Sequence, residues 1–589
     1  MKSLLRLVLA AACALGSYRA SAESPAPRIP PPPTEPGIFG LGFTNVTGTS
    51  ARLVFTTSEP MKSEITISGS GPAQSLKQDT FEEIRAVEIG GLIQGADYAV
   101  RVTGLTRAGH IVAAENLTLK SEPRTASAHK WPGYTIFGTS ISGDKAAGYP
   151  LAEQAGVRLV RLEFSWYGVL PNGREVDRAY LDDMLHQVAE LKQHHIEPLI
   201  ILDYCVPWAK TYSNTTMTWR HPSFGPPDRL DDWEFYVRTV VQALQGSARY
   251  YEIWNEPDAG YLGTGSYVER PGLPPPIARE PFKDNWNYWL GDRYAPMIAS
   301  VRKVMDELQP QAILLNGGWN RDYTGQRGDL IFQRGVAPFL DAYAFHTYCA
   351  TPMSFAAWYQ AIDGGFRRNI DRIFAKHHVS MPLAVTEWGW PAWAQPDPAK
   401  GFVSFRDAQI FYVKSAFYFL SLQRVELLSQ FELGVGPDSR DKDPLFFMLV
   451  NQTSQGSLVF QPPFQTFAWL ASTFGSRPYR ALPVQVNPAE DVKAYAIELA
   501  DSPDTYLAVW QDGTPAANGA IAPLPTKKIT LQMADLPAGT YSVARLDLAG
   551  KLLSEESITV TGGLKQDLTL PEISSTQESE PILLKFSRK

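Results

Sequence analysis

At 589 residues the chain is longer than one ordinary domain, so several are expected. A composition of 44% hydrophobic and 20% charged residues excludes the disordered and fibrous classes. The net charge of −7, from 54 basic and 61 acidic side chains, argues against nucleic acid, whose phosphates an acidic surface repels.

The N-terminus reads as an address. Lys2 and Arg6 precede an apolar run from Leu7 to Leu15, and Ala20-Ser21-Ala22 supplies an A-x-A cleavage site. The run falls well short of the roughly 20 residues that a membrane span needs. The reading is a signal peptide over 1–22, export to the periplasm or the exterior, and no stable membrane insertion after cleavage. A proline-rich linker, with Pro30 to Pro33 in a row, extends to residue 36.

From Gly37 to about Pro123 short alternating segments read as strands: Ala51–Thr56, Ser63–Ile67, Ala86–Ile89 and Tyr98–Val102. Their spacing predicts a β-sandwich over 37–123. Gly91-Leu92 followed by Gly95-Ala96-Asp97-Tyr98 resembles the fibronectin type III pattern. No residue here carries chemistry, so a spacer or docking module is expected. The junction near Ser127 is polar, which predicts a separable domain.

From Tyr134 the rhythm changes to strand then helix. Predicted strands are Thr135–Thr139, Val157–Phe164, Pro198–Tyr204, Tyr250–Glu256, Ala312–Asn316, Ala342–Thr347, Pro382–Glu387 and Leu427–Phe431. Between them lie amphipathic helical patterns such as Leu181, Met184, Leu185, Val188 and Leu191. Eight such units over 130–475 describe a (β/α)8 TIM barrel, whose active sites sit at the C-terminal ends of its strands.

Two of those ends stand out. Tyr250-Tyr251-Glu252-Ile253-Trp254-Asn255-Glu256-Pro257 is an apolar and aromatic run that closes on a carboxylate and breaks at a proline. Alternation along the strand points Asn255 and Glu256 in different directions. Leu383-Ala384-Val385-Thr386-Glu387-Trp388-Gly389-Trp390 ends strand seven in a second carboxylate. Two carboxyls at one barrel mouth suit glycoside hydrolysis, where one protonates the leaving oxygen and the other attacks the sugar or activates water. Ile-Trp-Asn-Glu-Pro followed by Thr-Glu-Trp-Gly resembles clan A of the retaining glycoside hydrolases. The family 39 type is nearest, including endoglycosidases of bacterial exopolysaccharides.

That resemblance implies that Glu256 is the acid/base, that Glu387 is the nucleophile, and that Asn255 binds the sugar's 2-hydroxyl. It also places Arg161 near the nucleophile, where a positive charge would lower the carboxyl's pKa. A pairing of Arg161 with Glu252 or Glu163 inside the barrel is the competing reading. His346 and Tyr348 match positions that line the clan's site, with Tyr348 placed to hydrogen-bond the nucleophile. A purely structural imidazole is the alternative for His346. Where the clan often carries a Trp after strand eight, this chain has Gln430-Phe431-Glu432.

Aromatic residues crowd the predicted rim. Trp166, Trp208, Trp388 and Trp390 are read as substrate-binding, since apolar sugar faces stack on rings. Tyr204, Tyr212, Trp219, Tyr261, Tyr267, Trp286, Trp289 and Trp393 lie in the same loops, with Pro274-Pro275-Pro276 as a stiff wall. Such a rim favours a cleft for several sugar units. Cys205 and Cys349 follow the non-adjacent strands three and six, so free thiols are expected. No Cys/His cluster has zinc spacing, and neither metal nor cofactor is expected.

Beyond Arg477 the alternation returns without helices, predicting a C-terminal β-sandwich over 478–589. Its lone Trp510 lies inside a strand pattern, which favours structure over carbohydrate binding. The whole reads as an exported retaining glycosidase, acting endo on a polysaccharide. The rival is a non-catalytic polysaccharide-binding or matrix scaffold on the same barrel. That rival leaves the coincidence of Glu256 and Glu387 unexplained.

Overall fold

The computed structural model describes residues 36–589 apart from 115, 126, 211–223, 260, 263–284, 321, 349–353, 394–401, 438–446, 454, 514–522 and 574–577. The signal peptide, most of the proline-rich linker, Cys349, Tyr212, Trp219, Tyr267 and Pro274-Pro275-Pro276 lie outside these residues. No described helix is long and apolar enough to cross a membrane.

Eight parallel strands form the centre: β1 (Ile136–Ser140), β2 (Leu159–Ser165), β3 (Glu197–Asp203), β4 (Tyr250–Ile253), β5 (Ile313–Asn316), β6 (Tyr343–His346), β7 (Leu383–Trp388) and β8 (Val425–Gln430). They pair in the order β5-β4-β3-β2-β1-β8-β7-β6. Each overlaps one of the strands expected from the sequence. The ring closes at a weak seam, where β5 and β6 share an isolated bridge between Leu315 and Ala342. Asn316 completes it, because its amide donates to the Ala344 carbonyl at 2.9 Å and accepts from the Ala344 N–H at 2.9 Å.

Period two along each strand fills the barrel in layers. Leu159, Leu199, Tyr250, Ile313, Ala342, Ala384 and Leu427 make an apolar plug at the bottom. The register β2–β3 then brings Arg161 level with Leu199 and Glu163 level with Ile201. On β2, β3 and β4 the inward positions therefore turn from apolar to charged, at Arg161, Asp203 and Glu252, towards the C-terminal end. The outward faces of the strands pack on the helical ring.

The N-terminal unit is one six-stranded antiparallel sheet with its own core of Leu53, Phe55, Ile65, Ile67, Val100 and Val102. Two expected strands merge into one of 19 residues, Ala51–Gly69, because Ser58-Glu59-Pro60 shifts the partner register without ending the strand. The junction near Ser127 is polar, with Ser127 on Asp341 and His129 on Glu426, but the sheet also packs on the barrel through apolar residues elsewhere. Phe39 is buried with Tyr288 and Trp289 of the barrel, and Arg124 pairs with Asp306. Gly40, at φ +64, lies so near Arg293 that a Cβ would meet the guanidinium at 2.8 Å. Trp289 is thus domain-interface core rather than part of a sugar cleft.

The C-terminal unit stacks a six-stranded sheet on a three-stranded one. Along Asp504–Gln511, Leu507 and Val509 face the three-stranded sheet, while Tyr506, Ala508 and Trp510 join the core of the barrel. This strand is therefore buried on both faces, and Trp510 is fully enclosed.

The seam gives the first prediction. Asn316→Ala leaves the buried Ala344 N–H without its acceptor and the Ala344 carbonyl with only the long 3.5 Å bond from the Trp319 N–H, which costs roughly 1–3 kcal/mol in total. Urea unfolding should show this loss, whereas an effect below about 1 kcal/mol would mean that the seam closes without the amide.

Candidate active site

The site is assembled by departures from regular strand geometry. β4 ends at Ile253, not at Glu256 as expected, and Trp254 and Glu256 take left-handed backbone angles of φ 69 and 42. Such angles cost a non-glycine residue on the order of 1–3 kcal/mol each. They send the Trp254 ring outward against Trp233, 6.1 Å between centroids, and bring Asn255 and Glu256 both into the mouth. On β7 a bulge does the same work. Thr386 and Glu387 both bond inward-facing partners, Glu252 and Arg161, while the register with β6 slips between Phe345 and His346. Bulges of this kind re-aim side chains beside functional sites.

Arg161, on β2, joins the pieces. Its Nε donates to Glu252 Oε2 at 2.7 Å, its Nη1 to Glu387 Oε1 at 2.5 Å, and its Nη2 to Asn255 Oδ1 at 2.8 Å. Arg161 thus pairs with Glu252 inside the barrel and with Glu387 at once. Glu252 also accepts from the Gly318 N–H at 2.7 Å and from Thr386 Oγ1 at 3.1 Å. Asn255 Nδ2 donates to the Tyr204 hydroxyl at 3.1 Å. Burial works against the Arg161 charge, but Glu252 and Glu387 outweigh it and raise its pKa.

The two expected carboxyls meet at an imidazole. His346 Nδ1 lies 2.7 Å from Glu256 Oε1 and 3.3 Å from Glu387 Oε2. One oxygen of each carboxyl lies within 4.8 Å of the other and of a His346 nitrogen. Tyr348 donates its hydroxyl to Glu387 Oε2 at 2.6 Å. Both Glu387 oxygens thus receive donors that favour its ionised form. Burial nevertheless pushes the Glu387 carboxyl above its ordinary range, so the expected lowering by Arg161 is present but outweighed. Burial drives His346 down to about 4, leaving a neutral ring at neutral pH. Burial and Glu387 hold Tyr348 protonated, hence a donor.

Gly318 must be glycine for space, since a Cβ there would meet His346 Nε2 at 2.2 Å and Thr386 Oγ1 at 2.6 Å. Glu256, His346 and Glu387 could together offer three ligand atoms to a cation. Arg161 and Tyr348 already bond both Glu387 oxygens, an arrangement better suited to proton and covalent chemistry.

The expected ring of tryptophans is corrected. Trp166 is stacked on Tyr236 at 5.3 Å between centroids, with Trp233 beside it. Trp388 turns outward past the bulge, donates to Ser415 Oγ at 3.0 Å and packs on Tyr412 and Phe467. Trp390 lies between Trp358 and Phe411. These three belong to the packing between barrel and helices. Trp208 is half-buried, its edge on Trp166 and its Nε1 bonded to the Leu170 carbonyl at 2.8 Å. Cys205 is a buried free thiol, pushed up to about 12 by burial.

Sequence reasoning named Glu252 only as a possible partner of Arg161 and missed Thr386 and Gly318. A carboxylate at an inward position of a buried strand, and a Gly-Gly pair at the end of β5, were the available signals.

No family model matches the chain. Over 166 residues it is 28% identical to β-glucosidase 47 of Arabidopsis thaliana, a stretch covering 27% of this chain and 28% of that protein. The chain thus spans under a third of that relative's length. A family 39 glycoside hydrolase from the gut symbiont Bacteroides cellulosilyticus WH2 superposes over 94% of this chain and 98% of its own, with TM-score 0.50 and 14% identity. A family 1 β-glucosidase from Thermotoga maritima covers 58% of this chain and 98% of its own, with TM-score 0.40 and 12% identity. The family 39 likeness extends across the flanking domains and is one of fold.

His346 supplies the second prediction. Its pKa of about 4 in the folded chain lies below the 6.5 of a free side chain, so between these values the unfolded chain binds the extra proton. This histidine's contribution to stability is complete above about 6.5 and is lost as pH falls through that window. Nitrogen NMR of the imidazoles should show one ring that stays neutral down to pH 5 and disappears in His346→Gln. A His346 titrating near 6.5 would refute the enclosed, neutral ring.

Proposed function

We propose that this protein is a retaining glycoside hydrolase that cleaves β-glycosidic bonds by double displacement. The observation that carries the reading is the Glu256/Glu387 pair, with one oxygen of each within 4.8 Å. Retaining enzymes hold their carboxyls ~5–5.5 Å apart, whereas inverting ones need ~6.5–9.5 Å to admit a water. The Ile253–Pro257 and Thr386–Gly389 motifs and the family 39 fold likeness point the same way.

In the first step Glu387 attacks the anomeric carbon while Glu256 gives its proton to the leaving oxygen, releasing one part of the glycan as an alcohol. In the second step Glu256 takes a proton from water, whose oxygen displaces Glu387 and frees the sugar. The surroundings suit this division of labour. Arg161 and Tyr348 donate to Glu387, stabilising it as the anion that attacks and later leaves. Glu256 faces a neutral imidazole, which does not oppose its protonated form. Asn255, fixed between Arg161 and Tyr204, has its amide beside the carboxyl pair, where the sugar's 2-hydroxyl would sit.

The substrate is read as a polysaccharide or exopolysaccharide cleaved internally, from the aromatic loops after strands three and four and the exopolysaccharide-type resemblance of the motifs. Export is read from the leader at residues 1–22. The N-terminal sheet is assigned a fibronectin type III-like supporting role.

Glu387→Ala should abolish turnover, and azide should restore it with an inverted, α-configured product. Glu256→Ala should lose about 10²–10⁴-fold on natural linkages but retain the first step on aryl glycosides whose leaving groups need no proton. Proton NMR of the products reads the anomer. Rescue with the opposite stereochemistry at each site would reverse the two roles.

A further inference from the structure

A second pair of carboxyls lines the mouth, and the proposed displacement does not use it. Glu163 on β2 and Asp203 on β3 continue the inward faces of Arg161 and Ile201 towards the C-terminal ends of their strands. Asp203 is fully buried, yet neither of its carboxyl oxygens has a hydrogen-bond partner among the described residues. Glu163, beside it, is part-exposed. A buried carboxyl with no hydrogen-bond partner is costly to keep, so the geometry asks for a polar group of a ligand.

Among the described residues, the cations that face the pair are already committed. Arg161 is shared among Glu252, Glu387 and Asn255, and Lys145 Nζ donates to the Ile141 carbonyl. Burial lifts Glu163 to about 7 against the pull of Arg161 and Lys145, and burial with the Glu163 charge lifts Asp203 well above the carboxylate range. An incoming carboxylate would add a charge beside Glu163, Asp203, Glu252, Glu256 and Glu387, and no cation among the described residues that face the pair is uncommitted. A hydroxyl, donor and acceptor at once, can satisfy both the carboxyl oxygens and the O–H of a protonated Asp203.

We propose that Glu163 and Asp203 form a substrate-binding subsite that holds the O–H or N–H donors of a neutral or amino sugar and excludes uronic acid units. The subsite adjoins the reacting pair through Arg161, so it acts on the sugar seated there or on its neighbour. This rests on the glycosidase reading and names the class of sugar.

The test uses the full-length chain. Calorimetric titration of the Glu387→Gln protein compares oligosaccharides of one length built from neutral hexoses, from glucosamine and from uronic acids. Neutral or amino ligands should bind at least tenfold more tightly than uronates. Asp203→Asn and Glu163→Gln, each added to that background, should weaken the favoured ligand about tenfold and narrow the gap to the uronate. Preference for glucosamine that falls in Glu163→Gln assigns the donor to an amine; equal binding of glucosamine and hexose assigns it to hydroxyls. Thermal melting checks each fold, and Glu163→Gln, at the open edge, carries the test should Asp203→Asn melt early. A parent that binds uronates as well as hexoses overturns the inference, as do variants that bind every ligand unchanged. If the wild-type chain hydrolyses glycans while either result holds, the subsite alone fails. If it hydrolyses none and Glu387→Gln binds none, both readings fall together.

Discussion

A single buried guanidinium sets the geometry of the candidate site. Arg161 reaches from β2 to carboxylates presented by β4 and β7 and to the amide of Asn255, so three strands are tied through one side chain. Lysine could not substitute, because only a planar fork offers donors in several fixed directions. Desolvating this charge is expensive, and the mutual attraction of the partners is what offsets it. Removing it would strand two buried carboxylates, which typically costs 3–5 kcal/mol where such pairs have been broken. The arginine is therefore a structural requirement of the mouth before it is an electrostatic aid to any reaction.

A regular barrel could not present the pair in this way. Period-two alternation gives each strand one inward residue per layer, and the site needs neighbours in sequence to face inward together. Two left-handed residues after β4 and a bulge on β7 supply that, each at a local cost. Gly318 leaves room for the His346 ring between them. The strain is concentrated where a uniform strand would have turned Glu256 or Glu387 into the wall.

This also explains what was legible in the sequence. Buried parallel strands are apolar runs, and all eight could be read. Glu256 and Glu387 stood out because each interrupts such a run at its C-terminal end. The tryptophans misled, since the type of a ring says nothing about which way it faces. One bulged residue is enough to send Trp388 to the helices while Glu387 stays inside. Asp203 was silent because it ends an apolar strand without a neighbouring motif. The docking of the N-terminal sheet was silent too, because Phe39 and Trp289 meet only in three dimensions.

The C-terminal sandwich bears on the site through packing rather than chemistry. Trp510, on the face turned to the barrel, lies 5.9 Å from Phe355 between ring centroids, and Phe355 lies 5.8 Å from Phe411. Phe411 meets Trp390 at 5.4 Å, and Trp390 meets Trp388 at 6.2 Å. Trp388 follows Glu387 directly in the chain. Close-packed aromatic contacts of this kind leave little room for rotation. The backbone that aims Glu387 is thus held from inside by Arg161 and Tyr348 and from outside by a column of rings that ends in another domain. A bulged strand end, free on its outer side, could relax towards regular alternation and withdraw the carboxyl. Enclosing it on both sides is what lets the irregular geometry persist.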